Sequence, residues 1–295
     1  MTDEEVNERK LAYHHPENPQ YSLVHVTDEE DRHVQRVRDL DEEDELDTRT
    51  ERDCIGDTDT YLIHATDAPS DPLAEFETEA EFVAWIRDSF SQDDLQIVLA
   101  VYRAFRGVLE ERSGTIDELT LYKQMELERI PGVVNRVEWR QPVPEVAADL
   151  LSAFILAHPM PNTNHRTGIS LLDRYVTSTD PSFAMPDTGV DDEWYKWASG
   201  YIHDSKRLLT LRNRLSLFQY AAVLGYETAE RKEGITIDLT EVDFDTADSD
   251  IYERQHRERT RTFVETLLEQ ADATHLLSVE DDGKEAFVAR LRADQ

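Results

Sequence analysis

The distribution of apolar residues along the chain limits most strongly what it can fold into. From about residue 72 to residue 224 they recur at intervals of three and four, whereas the flanking segments are polar and acidic. This spacing is typical of amphipathic helices that each bury one face. We therefore predict a mainly α-helical core at residues 72–225. An acidic, partly mobile extension is expected at residues 1–71, and an acidic extension with helices at residues 226–295.

Individual helices follow from the apolar positions. Those of the core are marked by Phe82, Trp85, Ile86 and Phe90; by Leu95, Val98, Leu99, Tyr102, Phe105 and Leu109; by Val146, Leu150, Ala153, Phe154 and Ala157; by Ile169, Leu172, Tyr175 and Val176; and by Leu208, Leu211, Leu215, Phe218 and Ala222. Shorter patterns predict strands at residues 21–26 and 235–239, and helices near residues 252–270 and 285–292. Arg207, Arg212 and Arg214 lie on or beside the last core helix, where we expect a solvated face.

The helical pattern is interrupted after Pro131 and Gly132. The residues that follow include Val133, Val134 and Trp139, which are β-branched or aromatic, and prolines close the segment. Such residues between breakers favour extended structure. We predict a short β-hairpin flap at residues 133–141.

The charge balance restricts the classes of partner. The chain has 31 Lys and Arg residues against 64 Asp and Glu residues, a formal net charge of −33, and its isoelectric point is near 4.5. A surface of this kind repels nucleic-acid backbones, so any nucleotide phosphate requires a local cationic pocket. Lysine is scarce beside arginine, and the composition resembles that of proteins from salt-accumulating archaea. We therefore attribute the acidity to a halophilic solvent, and we expect no nucleic-acid partner.

Cysteine content and hydropathy indicate a cytoplasmic protein. Cys54 is the only cysteine, which excludes an intrachain disulfide and a multi-cysteine metal site. The N-terminal residues lack the basic start and apolar run of a signal peptide. No apolar stretch approaches the roughly 20 residues of a membrane-spanning helix. We expect a soluble protein without a membrane partner.

The loop that begins at His158 carries the chemistry suggested by the sequence. Pro159 disfavours continuation of the preceding long helix, and a new helix is predicted to begin near residues 164–167 with Arg166 in its first turn. The N–H groups of a helix start, its positive dipole end and a guanidinium together form a good anion site. An imidazole beside an anion site is the arrangement that phosphoryl or nucleotidyl transfer needs.

The nine residues HPMPNTNHR that begin at His158 resemble the signature loop of the Fic/Doc family. The Fic pattern is His-Pro-Phe-x-Asp/Glu-Gly-Asn-Gly-Arg, and the Doc pattern is His-x-Phe-x-Asp-Ala-Asn-Lys-Arg-Thr. His158, Asn164 and Arg166 match residues common to both patterns, and Pro159 and Thr167 match as well. The resemblance implies a Fic-like helical bundle that transfers AMP or phosphate from a nucleotide to a protein hydroxyl. ATP or another nucleoside triphosphate would be the donor, with Mg²⁺ or Mn²⁺ as its metal.

The resemblance also implies roles for single residues. His158 would be the general base, and Arg166 would bind phosphate and stabilise the developing charge. Asn162 stands at the metal-binding position, and the flap would hold the target protein by strand addition. The predicted nucleotide- and phosphate-binding residues are Thr163, Asn164, His165, Arg166 and Thr167.

Several positions depart from the family patterns. Met160 replaces a Phe and keeps an apolar anchor. Asn162 replaces an acidic residue, which predicts weaker metal binding, and Thr163 and His165 replace glycines of the Fic pattern. A basic residue at His165 is closer to the Doc pattern, which favours phosphate transfer.

Three alternatives follow from these residues. In the first, the chain is an active protein adenylyltransferase or Doc-like protein kinase. In the second, it is a catalytically degenerate module that binds a nucleotide or a protein. In the third, it is a Doc-type growth-inhibiting toxin with an antitoxin protein as its partner.

Overall fold

A computed structural model describes most of the chain, and its described part is mainly helical, as predicted. The described residues are 10–11, 23–27, 29–42, 47–66, 76–112, 125–186, 194–231 and 234–293. Within them, no helix has both the length and the apolar character needed to cross a membrane. The helices are α1 (Glu30–Glu42), α2 (Glu79–Ser89), α3 (Gln92–Arg112), α4 (Ile130–Asn135), α5 (Val143–Ala157), α6 (Asn164–Thr179), α7 (Trp194–Val223), α8 (Ser249–Gln270) and α9 (Lys284–Ala293). The strands are β1 (Lys10–Leu11), β2 (Leu23–Thr27), β3 (Asp47–Ile55), β4 (Thr58–Thr66), β5 (Thr228–Arg231) and β6 (Ile235–Asp238).

The chain divides into two compact units, and neither is a continuous segment. Unit 1 combines Met1–Pro69 with His203–Gln255, and unit 2 combines Ser70–Ile202 with His256–Gln295. The later boundaries fall inside α7 and α8. The division predicted from the sequence, with a core at residues 72–225, stays a prediction. The predicted mobility of residues 1–71 falls partly on residues outside the described ranges and stays a prediction.

Unit 1 contains one antiparallel sheet with the strand order β1-β2-β4-β3-β5-β6. Strands β2 and β6 confirm the strands predicted from the sequence. The β3–β4 hairpin was not predicted. It turns at Gly56 and Asp57, where Gly56 has a φ of 60°. A glycine at the first position of a two-residue turn adopts this backbone conformation without steric cost.

The C-terminal part of α7 packs on this sheet. The buried residues of this core are Ile55, Leu211, Phe218, Ala221, Ala229, Ile235, Ile237, Leu239 and Tyr252. Arg212 and Arg214 are also buried, so their predicted placement on a solvated face was wrong. Arg214 pairs with Asp53 of β3, and Arg212 pairs with Glu253 of α8. A guanidinium can be buried when a carboxylate pairs with it, and here both carboxylates come from distant parts of the sequence.

Unit 2 is built around α5, in which every residue except Glu145 is buried. Helix α6 lies against α5 at Gly168, where an added Cβ would stand 2.9 Å from Leu151 Cδ1 and 3.1 Å from Phe154 Cδ1. Helices α2, α3, α5, α6, α8 and α9 confirm the helices predicted from the apolar spacing. The fully enclosed Ser152 Oγ and His256 Nδ1 lie 2.8 Å apart and tie α5 to α8 within this unit.

The predicted hairpin flap at residues 133–141 was wrong. Val133 and Val134 lie in α4, which is followed by a turn, bends and irregular backbone up to Pro142. Ile130, Val133 and Val134 are all buried on one face of this short helix, and Pro131 occupies its first turn. Burial at positions i, i+3 and i+4 therefore outweighs the β propensity of the two valines.

Candidate functional site

His158 directly follows α5 in a backbone conformation that is unfavourable for residues with a Cβ. It caps the helix with φ 50° and ψ 51°, in the left-handed region, and its N–H donates to Phe154 O at 3.1 Å. For a residue with a Cβ this conformation costs roughly 1–2 kcal/mol. The side chain is half-buried. Such a conformation persists only where the surrounding structure holds it.

The backbone on both sides of His158 is held by the segment around the short 3₁₀ helix Leu127–Arg129. Arg129 Nη1 donates to Ala157 O at 2.9 Å, and the Glu126 N–H donates to Pro159 O at 2.9 Å. Arg129 Nε lies 3.0 Å from Glu126 Oε1, and both side chains are largely buried. This segment, rather than residues 133–141, supplies these contacts to the loop.

Asn164 holds the other side of the loop. Its Oδ1 accepts a hydrogen bond from Met160 N at 2.9 Å, and its Nδ2 donates to Met160 O at 2.9 Å. Asn164 is 3% exposed, and Met160 is fully buried. The burial of Met160 agrees with the predicted anchoring of the loop by this residue. Asn164 uses both ends of its amide to shape the loop, and its phosphate contact stays a prediction.

Thr163 is the second residue of the loop with a left-handed backbone. It precedes α6 with φ 56° and ψ 24°, and its side chain makes no capping hydrogen bond. Its Oγ1 lies 3.5 Å from Oγ1 of the buried Thr167. In the described residues, the other non-glycine residues with positive φ are Arg140 and Asp272. Two such residues within one six-residue loop mark it as a place where strain is concentrated.

The first turn of α6 carries two basic residues and no acidic residue of its own. The basic residues, His165 and Arg166, are half-buried there. No Asp or Glu occurs between residues 150 and 172. The first carboxyl of α6 belongs to Asp173, and burial raises its pKa despite a hydrogen bond from Thr177. The first N–H groups of a helix have no carbonyl acceptor within the helix, and the helix dipole is positive at this end. This turn is therefore suited to an anion.

Asn162, the predicted metal ligand, uses its amide oxygen to bind the backbone of the next residue. Its Oδ1 accepts a hydrogen bond from Thr163 N at 2.6 Å. Across the described ranges, no three His, Cys, Asp or Glu side chains come together as a metal site. A lone amide oxygen that already accepts a hydrogen bond does not make a dedicated Mg²⁺ site, because Mg²⁺ is usually held through carboxylates and substrate phosphates. The metal role of Asn162 stays a prediction.

The predicted site residues lie in this loop and in the first turn of α6, as their neighbouring positions in the sequence require. The structure also adds Glu126 and Arg129, which sequence reasoning missed. Neither shows a sequence signal, because acidic and arginine residues are common throughout the chain and the contacts join residues about 30 positions apart.

Comparisons with known proteins give one result. The profile of a family described as "Family of unknown function (DUF8172)" matches residues 7–295. Neither the curated proteins nor the solved structures contain a match.

Proposed function

The chain belongs to the DUF8172 family of unknown function, and we propose that it transfers a phosphorus-containing group from ATP to a protein hydroxyl. One arrangement carries the proposal. An imidazole lies on a strained turn whose backbone is held from both sides, directly before a helix N-terminus that carries Arg166. The likeness of this loop to the Fic/Doc signature supports the same reaction class.

In the proposed reaction, the oxygen of the target hydroxyl attacks a phosphorus atom of ATP while His158 takes the hydroxyl proton. Attack at the α-phosphorus forms the new P–O bond, breaks the bond to pyrophosphate and transfers AMP. Attack at the γ-phosphorus breaks the bond to ADP and transfers phosphate. Arg166 and the N–H groups at the start of α6 stabilise the charge on the transferred group.

Magnesium enters this proposal only as the counter-ion that accompanies ATP. Asn162 offers an amide oxygen without charge, so the nucleotide phosphates would supply most of the ligands. The basic His165 at the Doc lysine position favours γ-phosphate transfer over AMP transfer.

A second candidate is a module that binds a nucleotide or a protein without catalysis. Two observations favour it. Residues 133–141 form no hairpin that could align a target segment by strand addition. Asn162 also carries no charge at the position where the resemblance expects a carboxylate. In this case the anion site persists and no group is transferred.

Radiolabelled ATP separates these functions. We would incubate the full chain in high KCl with Mg²⁺, a lysate of a salt-accumulating archaeon, and ATP labelled at either the α- or the γ-phosphate. Label on protein from α-labelled ATP alone means AMP transfer, and label from γ-labelled ATP alone means phosphate transfer. No label on any protein would refute the transferase and leave the binding module.

Two substitutions assign the roles. His158→Ala should reduce transfer by about 10²–10⁴-fold with little change in nucleotide affinity. Arg166→Ala should weaken nucleotide binding by about tenfold or more, because it removes a charge-assisted contact. His203→Ala and Arg87→Ala change exposed residues of the same types and serve as controls. Full labelling by His158→Ala would exclude the general-base role.

A further inference from the structure

We infer that Arg129 is a positioning residue for His158. The inference rests on the proposed function, in which His158 is the general base. Arg129 acts through the backbone, since its guanidinium donates to the carbonyl oxygen of Ala157, the residue before His158.

The peptide group that joins Ala157 to His158 is hydrogen-bonded at both ends. Its N–H donates to Phe154 O at 3.1 Å, and its carbonyl oxygen accepts from Arg129 Nη1 at 2.9 Å. Both ends of this peptide group are therefore fixed, and its orientation determines ψ of Ala157 and φ of His158. The left-handed φ of 50° at His158 is thus held by a hydrogen bond from outside the helix. This hydrogen bond therefore sets the backbone position from which the imidazole of His158 extends.

The next peptide groups are held in the same way. His158 is joined to Pro159, whose ring restricts the backbone and which has no N–H. Pro159 O accepts from Glu126 N at 2.9 Å, and Met160 N donates to Asn164 Oδ1 at 2.9 Å. The segment containing Glu126 and Arg129 therefore fixes the backbone before and after His158.

The arginine at this position is used for its shape as well as its charge. Nη1 bonds the Ala157 carbonyl, while Nε lies 3.0 Å from Glu126 Oε1. The planar guanidinium presents these two donors at fixed angles. A lysine ammonium is a point charge on a flexible stem, so it cannot serve both acceptors in the same geometry. Glu126 orients the guanidinium, and its own backbone N–H holds Pro159.

The test compares Arg129→Met and Arg129→Lys with Arg136→Met, which changes an exposed arginine seven positions along the chain. The full chain is labelled with ¹⁵N-histidine and studied in high KCl. The ring signals of His158 are assigned from their loss in His158→Gln. The turnover number of transfer and the affinity for ATP are measured separately on the same preparations.

We expect the His158 ring signals to shift or broaden in Arg129→Met, to change less in Arg129→Lys, and to stay unchanged in Arg136→Met. Turnover should fall by up to about 100-fold in Arg129→Met with ATP affinity nearly unchanged, because the base is misplaced while the phosphate site is retained. Unchanged His158 signals in folded Arg129→Met would overturn the inference. If Arg129→Met does not fold, unchanged signals in Arg129→Lys overturn it instead. The spectra need no transfer activity, so absence of labelling by the parent chain refutes the proposed function and leaves the positioning of His158 measurable.

Discussion

Removal of the Asn164 amide tests the construction of the loop most directly. Asn164→Ala deletes two hydrogen bonds of 2.9 Å at a position that is 3% exposed. It leaves the N–H and the carbonyl of Met160 without these partners, and an unsatisfied buried polar group costs about 1–3 kcal/mol. The free energy of unfolding should therefore fall by about 2–5 kcal/mol.

The isosteric Asn164→Asp adds a dependence on pH. The new carboxyl can still accept from Met160 N, but when ionised it cannot donate to Met160 O and repels that oxygen. Its pKa should therefore be raised in the folded state above the unfolded value of about 3.9. Stability linked to a raised pKa is present at low pH and is lost as pH rises through the folded pKa. The deficit of Asn164→Asp relative to the parent should be largest near pH 8 and smaller near pH 5.

Urea unfolding in high KCl measures these differences, with amide hydrogen exchange of α5 and α6 reporting on unit 2 alone. Asn135→Ala removes an exposed asparagine of the same unit and should change stability by less than about 0.5 kcal/mol. If Asn164→Ala costs less than about 1 kcal/mol, the two hydrogen bonds do not hold the loop. A pH-independent deficit of Asn164→Asp would refute the electrostatic part of the argument.

Four further substitutions test features around the loop. Thr163→Gly should raise the free energy of unfolding by about 0.5–1 kcal/mol, since relief of the left-handed strain exceeds the added chain entropy; a loss in urea unfolding would contradict this. Gly168→Ala should cost about 1–3 kcal/mol in the same assay, because its Cβ would stand 2.9 Å from Leu151 Cδ1. Burial raises the pKa of Asp173, so Asp173→Asn should stabilise the chain above the folded pKa, with the gain disappearing below the unfolded pKa near pH 4; a constant gain across a pH series would contradict this. Asn162→Asp should lower the Mg²⁺ concentration for half-maximal labelling if position 162 faces the ion.

Local spacing was sufficient to predict most helices and the position of the loop. In α6, Ile169, Leu172, Tyr175 and Val176 repeat at helical intervals, and all four are buried. Pro159 likewise identified the end of α5 from a steric rule that needs no tertiary information. These predictions succeeded because the signal lies among residues that are close together in the sequence.

The remaining features depend on residues far apart in the sequence. The burial of Arg214 requires Asp53, and the pairing of β3 with β5 joins Cys54 to Glu230. Arg129 likewise meets Ala157 only in the folded chain. The sequence carries no signal for these pairs, because nothing in the neighbouring residues identifies a partner that lies far away along the chain.

The pairing of β3 with both β4 and β5 has a consequence for synthesis of the chain. At a translation rate of roughly 5–20 residues per second, the β3–β4 hairpin leaves the ribosome on the order of ten seconds or more before β5. During that interval the backbone at Cys54 and Ile55, which pairs with β5 in the finished sheet, has no β5 partner, and an open strand edge can add a strand from a neighbouring nascent chain. The strand sequence DTRTERDCI is rich in charged residues, and charges on an open edge oppose such association. We therefore expect the charged residues of β3 to disfavour association through this edge until β5 has been made.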